Sequence, residues 1–240
     1  MEIGIIGFGR FGELMVRYLS SDLTVYVSSR TADREQIHAA GGIKASLEET
    51  CARDIVIPSV PISSFESVIL RIREYLDSNL LVDVCSVKEY PAGIMQRHLS
   101  DDVQILATHP MFGPDSAADS LEGKKIVCSP IRIDDDLYEQ IKQYLQKKGL
   151  RLIETTPENH DRQIARSQVL THFIGRALSE FGAGEIEIDT EGYQRLLKIL
   201  EVTEHDPLQL FKDLNIYNRY AGRMRKEFLS ALERIDRELE

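Results

Sequence analysis

The chain opens on Glu2-Ile3-Gly4-Ile5-Ile6-Gly7-Phe8-Gly9-Arg10-Phe11-Gly12, and this stretch decides the fold. A strand-like run leads into three glycines spaced GxGxxG, and a helical pattern from Phe11 to Leu19 follows. In such a turn Gly7 closes the bend, Gly9 lets the backbone approach a pyrophosphate, and Gly12 lets the helix pack on the strand. The alternative is a merely structural glycine turn. We predict a dinucleotide-binding turn with contacts from Gly7, Phe8, Gly9, Arg10, Phe11 and Gly12.

The second predicted strand ends in Ser28-Ser29-Arg30-Thr31. An acid at this place binds the ribose 2′-hydroxyl of NAD, and its charge would repel the 2′-phosphate of NADP. The Arg30 guanidinium would instead pair with a 2′-phosphate, and hydroxyl groups beside it can donate to the same group. We therefore expect NADP, bound by Ser29, Arg30 and Thr31. If Arg30 is only a solvated loop residue, NAD is accepted as well.

Short β-branched runs alternate with helix-length segments up to about residue 155. The runs are Glu2–Gly7, Leu23–Ser28, Asp54–Pro58, Leu80–Val84, Val103–Ala107 and Lys125–Cys128. Runs this apolar are typical of strands buried on both faces of a sheet with helical crossovers. From Thr156-Pro157-Glu158, which is typical of a helix start, the pattern is helical. We predict an α/β fold: a Rossmann doubly wound, mostly parallel sheet in an NADP-binding domain (1–155), followed by an all-helical domain (156–240).

The last segment, after the cap Asp206-Pro207, carries a heptad pattern of apolar residues. They are Leu210, Leu214, Tyr217, Ala221, Met224, Phe228, Ala231 and Ile235. A single helix of about thirty residues would be about 45 Å long, more than a compact domain of this size covers by itself. We expect a homodimer through these C-terminal helices, so that residues 156–240 serve both substrate binding and dimerisation. The alternative is a long helix that packs back on its own Rossmann domain.

Composition excludes several classes of partner. A formal net charge of -10 argues against nucleic-acid binding, which favours a basic surface. No run approaches the roughly 18 apolar residues of a membrane span, and the start carries no evident leader, so we expect a cytoplasmic protein that does not bind membranes. The cysteines, Cys51, Cys85 and Cys128, are widely separated, which indicates neither disulfides nor a metal site.

Two polar segments follow predicted strands, where ligands bind in sheets of this type. They are Asp83-Val84-Cys85-Ser86-Val87-Lys88 and Thr108-His109-Pro110-Met111-Phe112-Gly113-Pro114. A histidine before proline lies in an extended or turn conformation, and its reference pKa near neutrality suits proton transfer. His109 is therefore a candidate acid or base, unless it is a hydrogen-bonded loop histidine.

A family resemblance covers nearly the whole chain and rests on four pieces in order. They are the glycine turn, Asp83-x-x-Ser86-Val87-Lys88, His109-Pro110-Met111-Phe112-Gly113-Pro114, and the helix from His160-Asp161 through Gln168 to His172. Together they resemble the prephenate/arogenate dehydrogenases of tyrosine biosynthesis. The segment Gly192-Tyr193-Gln194-Arg195-Leu196-Leu197 is similar to the plant-type arogenate dehydrogenases.

The resemblance implies an NADP-dependent oxidative decarboxylation of a small molecule, L-arogenate, to L-tyrosine. A hydride leaves C4 of the substrate ring and the ring carboxylate leaves as CO2. His109 would take the hydrogen bond or proton of the C4 hydroxyl, and Ser86 would orient His109 and the substrate. Lys88 would lie near nicotinamide and substrate, or else pair with Glu89 or solvent.

The helix predicted over Pro157 to Phe181 carries polar residues on one side. At about 100° per residue, Ser167 and Thr171 each fall within about 20° of His160, with Gln168 and His172 on the flank. This stripe is expected to face a polar ligand. The resemblance implies that His172 and Gln168 contact substrate and that His160 belongs to the surrounding shell, unless buried polar groups there only satisfy one another.

The sequence leaves undecided which residues bind the side-chain carboxylate and the ammonium group of the substrate. Bacterial members of the family carry a GGFxDxTR-like segment whose arginine binds the side-chain carboxylate, and this chain departs from it. Counting from Gly192, Lys198 takes that place and Arg195 lies about one turn away, so both are candidates. Asp115 is a candidate for recognition of the arogenate ammonium group, because a carboxylate favours that cation over the keto group of prephenate. Otherwise Asp115 is a solvated turn residue.

Three other functions are compatible with parts of the sequence. The first is conversion of prephenate to 4-hydroxyphenylpyruvate by the same chemistry. The second, a β-hydroxyacid dehydrogenase or imine reductase, shares the glycine turn but gives no reason for the segment after His109. The third, a non-enzymatic NADP-binding sensor, needs the glycine turn and none of Ser86, His109 and His172.

Overall fold

The computed structural model describes residues 1–204 and 206–240, without the side chains of Val202 and Glu204. The described chain divides into two compact units, Met1–Pro157 and Glu158–Glu240. The boundary between the units falls at the start of the helix that begins at Pro157.

The first unit is built on one eight-stranded sheet with the order β3-β2-β1-β4-β5-β6-β7-β8. The strands are β1 (Glu2–Ile6), β2 (Thr24–Ser28), β3 (Ile43–Lys44), β4 (Ile55–Pro58), β5 (Leu80–Asp83), β6 (Gln104–Pro110), β7 (Lys125–Arg132) and β8 (Arg151–Glu154). The helices are α1 (Arg10–Leu19), α2 (Arg34–Ala39), α3 (Leu47–Cys51), α4 (Ile62–Ile72), α5 (Glu89–His98) and α6 (Asp135–Lys147), with a 3-10 turn at Arg73–Tyr75. Neighbouring strands are parallel except β6 and β7.

Burial explains this arrangement. Every residue of β4 and β5 is buried, as expected for strands covered by helices on both faces. The chain winds outward from β1 in both directions, so the carboxyl ends of β1, β4, β5 and β6 share one edge of the sheet. The predicted fold class, a doubly wound mostly parallel sheet followed by helices, is confirmed.

Three details of the sheet differ from the prediction. Strands β3 and β8 were not predicted, because β3 has only two residues and β8 keeps its side chains mostly exposed. Strand β6 continues through His109 and Pro110, which lie opposite Val127 and Ile126 of the antiparallel strand β7. His109 therefore belongs to the end of a strand and not to a loop.

All of the elements described in the second unit are helical. It contains α7 (Pro157–Ile164), a π-helical segment (Ala165–Val169), α8 (Leu170–Phe181), α9 (Glu191–Glu204), α10 (Leu208–Tyr217) and α11 (Ala221–Arg237). Helices α8 and α9 approach closely at Gly175, where a Cβ atom would lie 2.2 Å from Oγ1 of the buried Thr203. Glycine is thus required at the crossing of the two helices.

The prediction of one C-terminal helix of about thirty residues is wrong. Helix α10 ends at Tyr217 and α11 begins at Ala221. Asn218, buried and extended, causes the break: its Nδ2 donates to the Asp161 carbonyl at 2.8 Å and its Oδ1 accepts from Tyr220 N at 2.9 Å. At 1.5 Å per residue α11 is only about 25 Å long, so helix length no longer argues for a dimer.

No helix in the described part of the chain is both long and apolar enough to cross a membrane. The same residues hold no group of three or more His, Cys, Asp or Glu side chains arranged for a metal ion. Cys51, Cys85 and Cys128 are all buried, and none of them forms a disulfide bond. Burial raises the pKa of Cys51 and Cys128 to about 12, so both are neutral thiols at physiological pH.

Candidate functional site

The glycine turn connects β1 to α1. Gly7 has φ +106° and a Cβ there would lie 2.2 Å from the Ser59 carbonyl oxygen, while a Cβ on Gly12 would lie 2.5 Å from Gly7 O. A Cβ on Gly9 would meet no described atom within 4 Å, so this backbone is open to a ligand. Gly9 caps α1 without a side-chain hydrogen bond, which leaves the first-turn amides to bind an anion. These residues fit the pyrophosphate of a dinucleotide.

The segment after β2 presents a hydroxyl and a guanidinium beside this turn. Gly7 N donates to the Ser28 carbonyl at 2.9 Å, which ties the two segments together. Ser29 Oγ accepts from Thr31 N at 3.3 Å and Ala32 N at 3.0 Å, so its own proton is available to a ligand. Arg30 and Thr31 are exposed. The residues predicted for a 2′-phosphate therefore lie on one short turn.

A buried ion pair links the ends of β5 and β6. Lys88 Nζ donates to Asp83 Oδ1 and to the Thr108 carbonyl, and neither Asp83 nor Lys88 is exposed. Thr108 Oγ1 donates to the Asp83 carbonyl at 2.7 Å, and Cys85 N donates to Asp83 Oδ1 at 2.8 Å. Burial raises the pKa of Asp83, and the Lys88 ammonium opposes this shift. Lys88 thus has a carboxylate partner that the sequence did not indicate.

Ser86 and His109 are held beside this pair. Ser86 is half-buried in the turn between β5 and α5, and His109 is 3% exposed at the end of β6. The carboxyl ends of β1, β5 and β6 meet at the same edge of the sheet, so the glycine turn, Ser86 and His109 share that edge. This is the edge at which ligands bind in doubly wound sheets.

The segment after β6 is attached to α1 by three contacts. The rings of Phe11 and Phe112 lie 6.3 Å apart, Arg10 pairs with Asp115 at 2.5 Å, and Tyr18 Oη donates to the carbonyl of the buried Ala117 at 2.8 Å. Asp115 therefore contacts the glycine turn. The segment that follows His109 is anchored to the helix that would bind the cofactor phosphates.

In the helical unit, the π-helical segment changes which residues share a face. In an uninterrupted α-helix His160 and His172 would lie about 120° apart, but a π-bulge inserts one residue and brings them within about 20°. Both histidines are 3% exposed, whereas Ser167 is exposed. The predicted stripe of His160, Ser167 and Thr171 is therefore wrong. The prediction failed because of the π-bulge, which has no clear signal in the sequence.

An acidic residue, Asp206, and a basic residue, Arg176, lie beside His172. His172 Nε2 lies 3.4 Å from Asp206 Oδ2, and Arg176 Nη2 donates to the Asp206 carbonyl at 2.9 Å. Burial lowers the pKa of His172, as does Arg176, and Asp206 opposes them. Gln168 Oε1, His172 Nδ1 and Arg176 Nε are buried and have no hydrogen-bond partner among the residues the structure describes. These three residues follow one another at intervals of four residues, a spacing that places side chains on one side of a helix. The sequence therefore contained a signal for Arg176 that the prediction missed.

The remaining predicted residues lie elsewhere in the same unit. His160 Nδ1 lies 2.7 Å from Asp161 Oδ1, and both side chains are buried. Asp161 also accepts from Asn218, so His160 belongs to the network that joins α7 to the break before α11. Arg195 and Lys198 are exposed on α9, and Arg195 lies 3.7 Å from Glu191.

Comparison with known proteins decides the family. The nucleotide-binding domain of prephenate dehydrogenase matches residues 18–154, and the C-terminal domain of TYRAAT1-like proteins matches residues 177–240. Arogenate dehydrogenase 2, chloroplastic, of Arabidopsis thaliana is 33% identical over 255 residues that cover 100% of this chain and 70% of that protein. The chain belongs to the prephenate/arogenate dehydrogenase family.

Other members of the family agree with this assignment. A probable arogenate/prephenate dehydrogenase of Methanocaldococcus jannaschii is 27% identical, and the match covers 98% of this chain and 56% of that protein. Two crystal structures share the fold. Prephenate dehydrogenase from A. aeolicus, in complex with hydroxyphenyl propionate and NAD+, gives a TM-score of 0.77 at 20% identity over 100% of this chain and 90% of that one. Arogenate dehydrogenase from Synechocystis gives a TM-score of 0.75 at 19% identity, and the match covers 100% of this chain and 92% of that one.

Proposed function

We propose that this dehydrogenase catalyses the NADP-dependent oxidative decarboxylation of L-arogenate to L-tyrosine. One observation carries the proposal: the glycine turn, Ser86 and His109 lie at the same carboxyl edge of one mostly parallel sheet. We assign cofactor binding to Met1–Pro157, and substrate binding and dimerisation to Glu158–Glu240.

Bound NADP supplies the acceptor for the hydride that leaves C4 of the substrate. As the hydride departs, positive charge develops at C4 and its hydroxyl becomes acidic. His109 accepts the hydrogen bond or the proton of that hydroxyl and can return the proton to the phenol oxygen. The bond between the ring and its carboxylate breaks, CO2 leaves, and the electron pair of that bond completes the aromatic ring. Ser86 orients His109 and the substrate.

The preference for NADP rests on the turn after β2. Ser29, Arg30 and Thr31 offer two hydroxyls and a guanidinium, and no carboxylate stands at the end of β2 to repel a 2′-phosphate. A charge-assisted contact of this kind favours NADP over NAD.

The preference for arogenate rests on a carboxylate near the substrate's ammonium group. Asp115 is the candidate from the sequence, but its charge is compensated by Arg10 at 2.5 Å. Asp206 is a second candidate because its carboxylate lies 3.4 Å from His172, the residue expected to contact substrate. For the side-chain carboxylate, Arg195 and Lys198 remain candidates and Arg176 joins them, since it lies one helical turn from His172.

A homodimer through the C-terminal helices is also part of the proposal. Its support is an exposed apolar stripe on α11, formed by Leu229, Leu232 and Ile235. Light scattering should return a dimer for the wild type and a monomer for Leu232→Glu, with Lys226→Glu as the control. A monomeric wild type would remove this part of the proposal.

The decisive experiment follows the reduced cofactor at 340 nm, NADPH or NADH, with arogenate or prephenate as substrate and NADP or NAD as acceptor. We expect the highest kcat/KM with arogenate and NADP. Turnover of prephenate alone would favour 4-hydroxyphenylpyruvate as product, and no turnover with either substrate would favour another Rossmann reductase or a cofactor-binding sensor. Asp206→Asn and Asp115→Asn then show which carboxylate sets the arogenate to prephenate ratio. A ratio unchanged in both would refute both assignments.

A further inference from the structure

Asp83, Lys88 and Thr108 form a closed ring of hydrogen bonds at the active edge of the sheet. Lys88 Nζ donates to the Asp83 carboxylate and to the Thr108 carbonyl, and Thr108 Oγ1 donates back to the Asp83 carbonyl at 2.7 Å. All three residues are buried. The ring joins the last residue of β5 to the N-cap residue of α5 and to β6.

The two residues proposed for chemistry are attached to this ring. Ser86 lies inside the turn that the Asp83 and Lys88 ion pair closes, and His109 directly follows Thr108. We therefore expect a change in the ring to move the backbone of both Ser86 and His109. The strands themselves are held by the sheet, so the ring acts on the residues at their carboxyl ends.

We infer that Asp83 and Lys88 are positioning residues that fix Ser86 relative to His109, and that Lys88 does not contact the substrate. The role rests on the proposed function, in which Ser86 and His109 act together. Lys88 is 0% exposed and its ammonium already engages a carboxylate and a carbonyl, so a ligand has no access to it.

Stability alone gives little reason for this ion pair. Removing two charges from water costs free energy that their attraction often fails to recover, and apolar replacements of similar volume are commonly as stable. Asp83 Oδ2 also has no hydrogen-bond partner among the described residues, although it is buried. Because apolar residues commonly give equal stability, the placement of this pair between two candidate catalytic residues argues for a geometric role.

The test compares Lys88→Met, Asp83→Asn and the double variant. Lys88→Met should lower both the thermal midpoint and kcat, because an unpaired buried carboxylate remains. The neutral double variant should recover most of the thermal midpoint, yet keep kcat roughly 10- to 100-fold below wild type with an unchanged KM for NADP, since the Thr108 carbonyl is no longer held. Lys142→Met, which removes an ion-paired lysine on α6, is the matched control.

Two kinetic outcomes would overturn the inference. Wild-type kcat in the double variant would mean that the pair is only structural. A Lys88→Met variant with unchanged kcat and a raised substrate KM would mean that Lys88 binds substrate directly.

A measurement without turnover separates this inference from the proposed function. If wild type converts neither substrate, the proposed function fails, and NMR of 13C-labelled histidine still reads the position of His109. The His109 signal, assigned with His109→Gln, should shift in the double variant, while the signal of the exposed His38 on α2 stays at its wild-type position. A His109 signal identical to wild type would refute the positioning role.

Discussion

The Arg10 guanidinium lies 2.5 Å from the Asp115 carboxylate, so an ion pair joins the glycine turn to the segment that follows His109. Both side chains are more than half exposed, at 52% and 59%, and such pairs contribute only about 0 to 1 kcal/mol. The pair nevertheless decides where the Arg10 charge is directed. With Asp115 present, Arg10 faces a carboxylate next to the turn that would bind the cofactor phosphates.

Asp115→Asn should therefore strengthen cofactor binding. The substitution removes the competing carboxylate beside Arg10, so its guanidinium interacts more strongly with the pyrophosphate, and we expect the KM for NADP to fall by up to about fivefold, the equivalent of about 1 kcal/mol. The gain should shrink as salt rises, because both groups are exposed. Glu13→Gln, which breaks an exposed pair with Arg17 on the same helix, is the control. An unchanged or higher KM at low salt would contradict the prediction.

Arg30→Asp should reverse the cofactor preference. The change removes a charge-assisted contact to the 2′-phosphate and puts a like charge in its place, so kcat/KM with NADP should fall by roughly 100-fold. With NAD the value should stay within about threefold or rise, since a carboxylate can accept from the 2′-hydroxyl. Arg34→Asp, at the start of α2, is the matched charge reversal and should leave kcat/KM unchanged with both NADP and NAD. If Arg30→Asp leaves the ratio of kcat/KM with NADP to kcat/KM with NAD unchanged, Arg30 does not belong to the cofactor site.

The first unit was predictable because its signals are local. The glycine spacing requires backbone geometry that Gly7 and Gly12 adopt, and the buried strand β4 is apolar at every position. The length of β6 was not predictable in the same way. His109 and Pro110 join the strand because β7 pairs with them in antiparallel register, and that pairing is a tertiary contact.

The helical unit shows where periodicity fails. A heptad pattern continues across Asn218, yet two hydrogen bonds of its side chain hold the chain extended there. Similarly, the π-helical segment shifts the face that His172 shares with His160. Neither feature changes the apolar pattern, so the proximity of Asp206 to His172 emerged only from the structure, whereas Arg176 lies four residues after His172 in the sequence.

Gly175→Ala should destabilise the helical unit. An added methyl group would lie 2.2 Å from Thr203 Oγ1 and 2.6 Å from its Cγ2, so α8 and α9 must separate. We expect a loss of about 1 to 3 kcal/mol in the free energy of unfolding, measured with urea. Gly93→Ala in α5 is the control, because no described atom lies within 4 Å of its added Cβ, and it should be neutral or stabilising by up to about 1 kcal/mol. Recovery of stability in Gly175→Ala/Thr203→Ala would confirm the steric cause, and a stable single variant would exclude it.

His172 should make the helical unit sensitive to mild acid. Burial lowers the pKa of its imidazole below the ordinary value of 6.5, so the unfolded chain takes up a proton more readily than the folded one. The contribution of His172 to the free energy of unfolding is then fully present above pH 6.5 and falls as the pH drops from there toward the folded pKa, by at most about 1.4 kcal/mol per pH unit. Urea unfolding at pH 7.5, 6.5 and about 5.5 measures this slope above the range in which Asp and Glu residues titrate. His172→Gln should flatten the slope, whereas His38→Gln, at an exposed site on α2, should leave it unchanged. An identical slope in His172→Gln would assign the acid sensitivity to another group.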